Sequence, residues 1–298
     1  MPRIEELTLD EKIGQMFAGA GHAHYTNESG WRYRDLMHQV RDNKVGGITW
    51  FLSSVHDAAF LTRQLQEAAR VPLLISADLE AGIGMRFLDT TFWPSAMAVA
   101  ATGDPSLAED LGRITAREAK VVGINHIFAP VADVNVNADN PVINTRSFGE
   151  DPHEVAKFVA AFIRGVQSEG VLATAKHFPG HGDTHVDSHR SLPVLDVDRA
   201  RLERVELVPF RAAIEADVAS IMIGHLAVPA LDATPASMRA GADAERENPY
   251  ATPRHETTQG GTVPATLSKP VIIDLLRGEM GFDGLVVSDA FDMGGLVA

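Results

Sequence analysis

Seven short, nearly continuous apolar runs recur along the chain. They are "GQMFAGA" from Gly14, "VGGITWFL" from Val45, "VPLLISADLE" from Val71, "NHIFAPVADV" from Asn125, "VLATAKHF" from Val171, "ASIMIGHLAV" from Ala219 and "GLVVSDAF" from Gly284. A strand with one wet face alternates apolar and polar residues, so runs this uniform suit strands covered on both faces of a parallel sheet. Between them lie amphipathic stretches near residues 31–43, 56–70, 105–122, 153–169, 199–216 and 268–280, which read as helices. This alternation is a βα repeat and predicts an α/β fold. A doubly wound nucleotide binder usually shows a glycine-rich phosphate loop straight after an early strand. Here "GAGHAH" lacks a second spaced glycine and a following helix cap. A (β/α)8 TIM-type barrel is therefore expected, as one domain over residues 1–298.

One stretch breaks the pattern. Residues 232–266, "DATPASMRAGADAERENPYATPRHETTQGGTVPAT", are rich in Ala, Pro, Gly, Thr and charge and too long for an ordinary connection. They read as a mobile surface insertion between the sixth strand and the next helix.

Composition narrows the partners. A formal net charge of -14 disfavours nucleic acid and anionic membrane surfaces, and no apolar stretch approaches the roughly 20 residues of a membrane helix. A small, neutral or cationic molecule fits better. The absence of cysteine excludes disulfides and thiol catalysis. "MPRIEELTLDEKIGQMF" shows no basic segment leading into an apolar one, so a cytoplasmic protein is expected.

Barrel enzymes carry their chemistry at the C-terminal ends of strands, and here those ends are strongly polar. The third run ends in Asp78 and Glu80, the fourth in Asp133, the fifth in Lys176 and His177, the sixth in His225, and the seventh in Asp289 followed by Asp292. Each such group costs free energy to desolvate unless it is paired or used, so convergence on one pocket is expected. "KHFPGHGDTHVDSH" follows the fifth run and spaces His177, His181, His185 and His189 by four. On a helix that spacing would stack imidazoles for a metal, but Pro179, Gly180 and Gly182 oppose a helix, and neither cysteine nor HExxH is present. The segment is therefore read as a loop without a metal. Asp187 and His189 stand two apart and, in extended backbone, point the same way. Asp187 can then hold one imidazole nitrogen and leave the other for proton transfer. Carboxylates beside such a histidine suit displacement at carbon with an unactivated leaving group.

These residues resemble glycoside hydrolase family 3, specifically its single-barrel β-N-acetylglucosaminidases. The likeness rests on "LTLDEKIGQMF", "DLEAGIGMRF", "NPVINTRSFGEDP", "KHFPGHGDTHVDSH" and "LVVSDAFDM", in the family's order from about residue 7 onward. It implies Asp289 as the nucleophile of a covalent glycosyl-enzyme, and His189 as acid and then base, with Asp187 as its partner. It also implies that Asp78, Arg86, Arg146, Lys176 and His177 hold the sugar's hydroxyls and acetamido group. Glu80, Asp133, His181, His225 and Asp292 would support them.

The implied activity is retaining exo-hydrolysis of terminal N-acetylglucosaminides, such as peptidoglycan fragments, without cofactor or metal. A β-N-acetylglucosaminide phosphorylase is the alternative, because a neutral imidazole does not repel phosphate as a carboxylate would. A non-catalytic sugar-binding barrel or an inactive remnant is the alternative of another class. Family barrels run through an eighth βα unit, so the resemblance also implies that the last unit is missing after Ala298.

Overall fold

The computed structural model describes residues 2–188, 191–236 and 261–293. Strands β1 (Ala18–Gly21), β2 (Gly47–Trp50), β3 (Leu74–Ala77), β4 (His126–Ile127), β5 (Leu172–Phe178), β6 (Ser220–Ile223) and β7 (Leu285–Ser288) form one sheet in sequence order. The pairs from β1 through β5 are parallel, as is β6 with β7. An α/β architecture with a seven-stranded sheet is thus present, in the order that successive βα units produce.

The helices are α1 (Leu9–Gly14), α2 (Trp31–Arg41), α3 (Val55–Ala68), α4 (Ala96–Ala100), α5 (Pro105–Val121), α6 (Pro152–Ser168), α7 (Arg199–Arg204) and α8 (Val208–Glu215), with a π-helix at Pro270–Glu279. Most sit where the amphipathic stretches place them. The first apolar run does not begin in a strand as expected. Gly14 ends α1, which is fixed by a capping box in which Thr8 and Glu11 satisfy each other's backbone amides. The stretch at 199–216 is two helices rather than one. Pro209 stands in the first turn of α8, where its missing N–H is harmless, whereas inside a continuous helix it would remove a hydrogen bond. The break between them contains Glu206.

The chain forms two compact units. The first comprises Met1–Ser95, Ser106–Ala129 and Ala161–Thr174. Its core is built where Ala58, Leu61 and Leu65 of α3 are buried along with Ile48, Trp50, Ile75 and Ala77 of β2 and β3. The Trp50 indole N–H donates to the Thr62 hydroxyl at 3.0 Å, so that the largest buried side chain keeps its polar atom satisfied. His126 on β4 is also buried, bonded to the Thr174 hydroxyl at 2.8 Å, and burial lowers its pKa from 6.5 to about 4. It is a neutral core histidine.

The second unit comprises Ala96–Pro105, Pro130–Ala160 and Ala175–Ala298. Phe178 and Phe210 meet edge to face at 5.2 Å, and Phe148 stacks on Phe158 at 5.5 Å. All four residues of β6 are buried. β1 and β7, outermost in the strand order, are the least covered strands, and Leu285 of β7 is exposed.

Of the expected insertion, residues 237–260 lie outside the described residues. Its two ends do not read as loose surface chain. Pro235 and Thr262 form an antiparallel bridge, flanked by hydrogen bonds from Ala236 N to Gly261 O (2.8 Å) and from Val263 N to Thr234 O (2.9 Å). Below it, the buried Asp232 carboxylate accepts from the Ser268 hydroxyl at 2.6 Å. Among the described residues, no helix is long and apolar enough to cross a membrane.

Candidate active site

In the second unit, chemistry gathers around the C-terminal half of β5. Lys176 and His177 are both buried. Just before them in the strand order, Val131 bridges Lys176, and the Ala132 N–H donates to the Lys176 carbonyl at 2.6 Å. That pairing delivers Asp133, fully buried, to the backbone of the next turn. One Asp133 oxygen accepts from His177 Nδ1 at 2.7 Å, and the other accepts from the His181 amide at 2.6 Å. The His177 amide is shared between both oxygens at 3.2 and 3.3 Å. A carboxylate only accepts, so His177 carries its hydrogen on Nδ1 and presents Nε2 elsewhere. Asp133 thus sets the tautomer and the ring orientation of His177. The peptide bonds Lys176–His177 and Phe178–Pro179 are cis.

The loop beyond β5 is folded tightly. Gly180 has φ +134°, and a Cβ on it would meet Glu206 Cβ at 2.8 Å; a Cβ on Gly182 would meet the Val134 carbonyl oxygen at 1.8 Å. Only glycine fits either place. Asn140, buried, donates from Nδ2 to the carbonyls of His181 (2.9 Å) and Gly182 (3.2 Å), while its Oδ1 accepts from the amides of Val142 and Ile143. Asn137 Nδ2 donates to the Thr184 carbonyl at 3.0 Å and to His185 Nδ1 at 3.1 Å. His181 is buried, with Nδ1 sharing a hydrogen with the Thr184 hydroxyl at 2.7 Å. Burial lowers its pKa against the opposing pull of Asp133, with Asp289 a smaller influence in the same direction as Asp133, and among the described residues its Nε2 has no hydrogen-bond partner.

Farther along, Asp187 is half-buried and its carbonyl accepts from the Ser191 amide at 3.2 Å. His189, the expected acid and base, lies outside the described residues.

Asp289 follows β7 directly. Its amide donates to Ile223 O at 2.9 Å, and its Oδ1 accepts from the Ala290 amide at 2.9 Å. His225 holds the same turn from β6: Nε2 donates to the Ala290 carbonyl at 2.8 Å, and Nδ1 meets the Thr266 hydroxyl at 3.0 Å. The ring also stacks on Phe291. Asp292 is exposed. Arg146 ends a short 3-10 turn, Asn144–Arg146, and its guanidinium donates to the Val142 carbonyl at 3.1 Å.

In the first unit, Asp78 and Arg86 make a direct ion pair at 2.5 Å, each about a fifth exposed. The Arg86 guanidinium also lies 5.7 Å from the Phe51 ring centre, and its Nε is buried with no hydrogen-bond partner among the described residues. Glu80 is buried nearby in sequence. A cavity of about 570 Å³ in this unit is lined by Ile13, Phe17, Gln39 and Lys44 among others, and none of the expected site residues lines it.

Among the described residues, no group of three or more His, Asp or Glu side chains is arranged to hold a metal ion. The sequence reading passed over Asn137, Asn140, Arg201 and Glu206. The asparagines stood in the open, in "NVNADNP" between Asp133 and Arg146, as a turn-rich stretch linking two candidate residues.

Carboxylates and imidazoles ordered at the ends of parallel strands are the working arrangement of α/β enzymes. Over residues 8–298 the chain matches the family model described as "Glycosyl hydrolase family 3 N terminal domain", and it belongs to that family. It is 36% identical over 295 residues to a protein of Cellulomonas fimi named beta-N-acetylglucosaminidase/beta-glucosidase, covering 99% of this chain and 48% of that one. To beta-hexosaminidase A of Pseudoalteromonas piscicida it is 38% identical over 277 residues, covering 88% of this chain and 43% of the relative. Among solved structures, a family 3 beta-N-acetylglucosaminidase from Paenibacillus sp. str. FPU-7 superposes with a TM-score of 0.82 at 39% identity, covering 97% of this chain and 50% of that one. A beta-glucoside phosphorylase, BglX, bound to 2FGlc superposes with a TM-score of 0.82 at 29% identity, covering 98% of this chain and 48% of that one. The chain spans about half the length of these relatives.

Proposed function

We propose that the chain carries the catalytic machinery of a retaining exo-β-N-acetylglucosaminidase on a (β/α)8-type barrel, acting on small N-acetylglucosaminides such as peptidoglycan fragments. The observation that carries this reading is the Asp133–His177 pair at the end of β5, ordered in the same unit as Asp289 at the end of β7. His177 has ring and backbone both held by one carboxylate, an arrangement that orients an imidazole for a ligand.

In the proposed reaction Asp289 attacks the anomeric carbon while imidazolium His189 gives its proton to the departing glycosidic oxygen. Neutral His189 then takes a proton from the water that releases the sugar from Asp289. Asp187 raises the proton affinity of His189 and so favours the donating form. Asp78, Arg86, Arg146, Lys176 and His177 take the sugar's hydroxyl and acetamido groups, by the motifs they stand in. The names of the Cellulomonas and Paenibacillus relatives support the choice of sugar.

Nitrophenol release from a nitrophenyl N-acetyl-β-glucosaminide tests this directly. Wild type should turn over, and Asp289→Asn should lose about 10³-fold or more, the scale on which covalent nucleophiles act. Wild-type inactivity in a folded protein, or an active Asp289→Asn, would overturn the reading. The phosphorylase neighbour favours a second one, in which phosphate replaces water. Phosphate stimulation with sugar phosphate as product would move the assignment there.

A further inference from the structure

The break between α7 and α8 places an ionic clamp on the loop after β5. Arg201 Nη2 lies 3.1 Å from the carboxylate of Asp183, within that loop, and 3.1 Å from the carboxylate of Glu206, in the break. Glu206 is almost wholly buried, and among the described residues Arg201 is its ion-pair partner. Burial pushes its pKa up while Arg201 pulls it down. The approach is close because Gly180, at the start of the loop, leaves the space that Glu206 Cβ occupies. On its other flank the loop is held by Asp133, Asn137 and Asn140, through its amides and carbonyls. Among the described residues, Arg201 grips it from the segment following it.

We infer that Arg201 is a positioning residue for proton transfer: through Asp183 it fixes the stem of the loop that leads to Asp187, while Glu206 holds the guanidinium in place. The inference rests on the assignment of His189 and Asp187 as the acid and base pair. A carboxylate partner one or two ångström out of place no longer orients an imidazole, and loss of a well-placed acid is felt only by substrates whose leaving group needs a proton.

The test therefore compares kcat/KM for a phenyl and a 2,4-dinitrophenyl N-acetyl-β-glucosaminide, the second of which departs without a proton. Wild type, Arg201→Ala, Asp183→Asn and His189→Ala are measured, with folding checked by circular dichroism and thermal unfolding. His189→Ala should lose about 10²-fold or more on the phenyl substrate and little on the dinitrophenyl one, as general acid catalysis requires. Arg201→Ala should lose about 10-fold on the phenyl substrate and under about 2-fold on the other. Asp183→Asn cuts the clamp while leaving Glu206 its cation, so it should show the same selectivity in a folded protein even where Arg201→Ala fails to fold. Equal losses on both substrates, or none, in Asp183→Asn would overturn the inference while His189→Ala keeps its selectivity. A His189→Ala without selectivity would instead overturn the acid and base assignment.

Discussion

Two buried carboxylates flank the loop after β5, and they are solved differently. Asp133 accepts from one ring nitrogen and two backbone amides, groups that the fold itself brings to it. Among the described residues, Glu206 is met by one ion-pair partner, Arg201, through a single guanidinium nitrogen. A buried charge met by fixed dipoles is rigid and hard to replace; one met by a single flexible cation is conditional and exchangeable. The first arrangement belongs to a residue that orients an imidazole, the second to one that holds a tether.

Substitution should separate the two sharply. Asp133→Asn turns an amide NH2 toward donors that already need an acceptor, so it should destabilise the protein by about 3–5 kcal/mol and abolish activity. Urea unfolding beside kcat/KM measures both, and a stable, active Asp133→Asn would break the comparison.

His126 tests whether burial alone, without a charged partner, produces a pH effect. Its pKa is lowered from 6.5 to about 4, so as pH falls through that window the unfolded chain takes up the proton first and the fold loses on the order of 3 kcal/mol. The loss is absent above 6.5 and complete below 4. In His126→Gln, the drop in urea midpoint between pH 7 and 4.5 should shrink accordingly.

Glu206→Gln should have the smallest effect, within about 1 kcal/mol of wild type at neutral pH, because a poorly solvated charge and its partner's attraction nearly offset each other. The raised pKa of Glu206 means that its carboxylate weakens the fold as pH rises from 4.5 through the folded value, and the glutamine variant should lose that slope. A loss as large as that of Asp133→Asn would show that Glu206 is satisfied in a way comparable to Asp133.

The βα alternation was legible because strands covered on both faces carry uninterrupted apolar runs, and β6, buried at every position, is the clearest case. The first strand was placed too early because the apolar run crosses the end of α1; the Thr8 to Glu11 box in "TLDE" was the available correction. Asp133 and His177 were legible as strand-end residues, but not as a pair, since 44 positions separate them and only the β4–β5 register joins them. Glu206 was hidden inside what reads as one amphipathic helix. Pro209 was its visible marker, and without partners in view a glutamate near a proline points to a turn, not to a clamp. His189 remains a reading of motif alone.

The bridge between Pro235 and Thr262 has a practical meaning for rebuilding the molecule. Paired residues of an antiparallel bridge stand roughly 5 Å apart, the span of the tightest reversal of the chain. Ala236 and Gly261, which flank residues 237–260, thus stand close together: replacing the residues between them with an Asn-Gly turn should leave the flanking register intact and raise stability by about 1–2 kcal/mol through shorter loop closure. The same two ends would accept a foreign module whose own termini lie side by side, giving a graft point supported by the Asp232–Ser268 hydrogen bond beneath it.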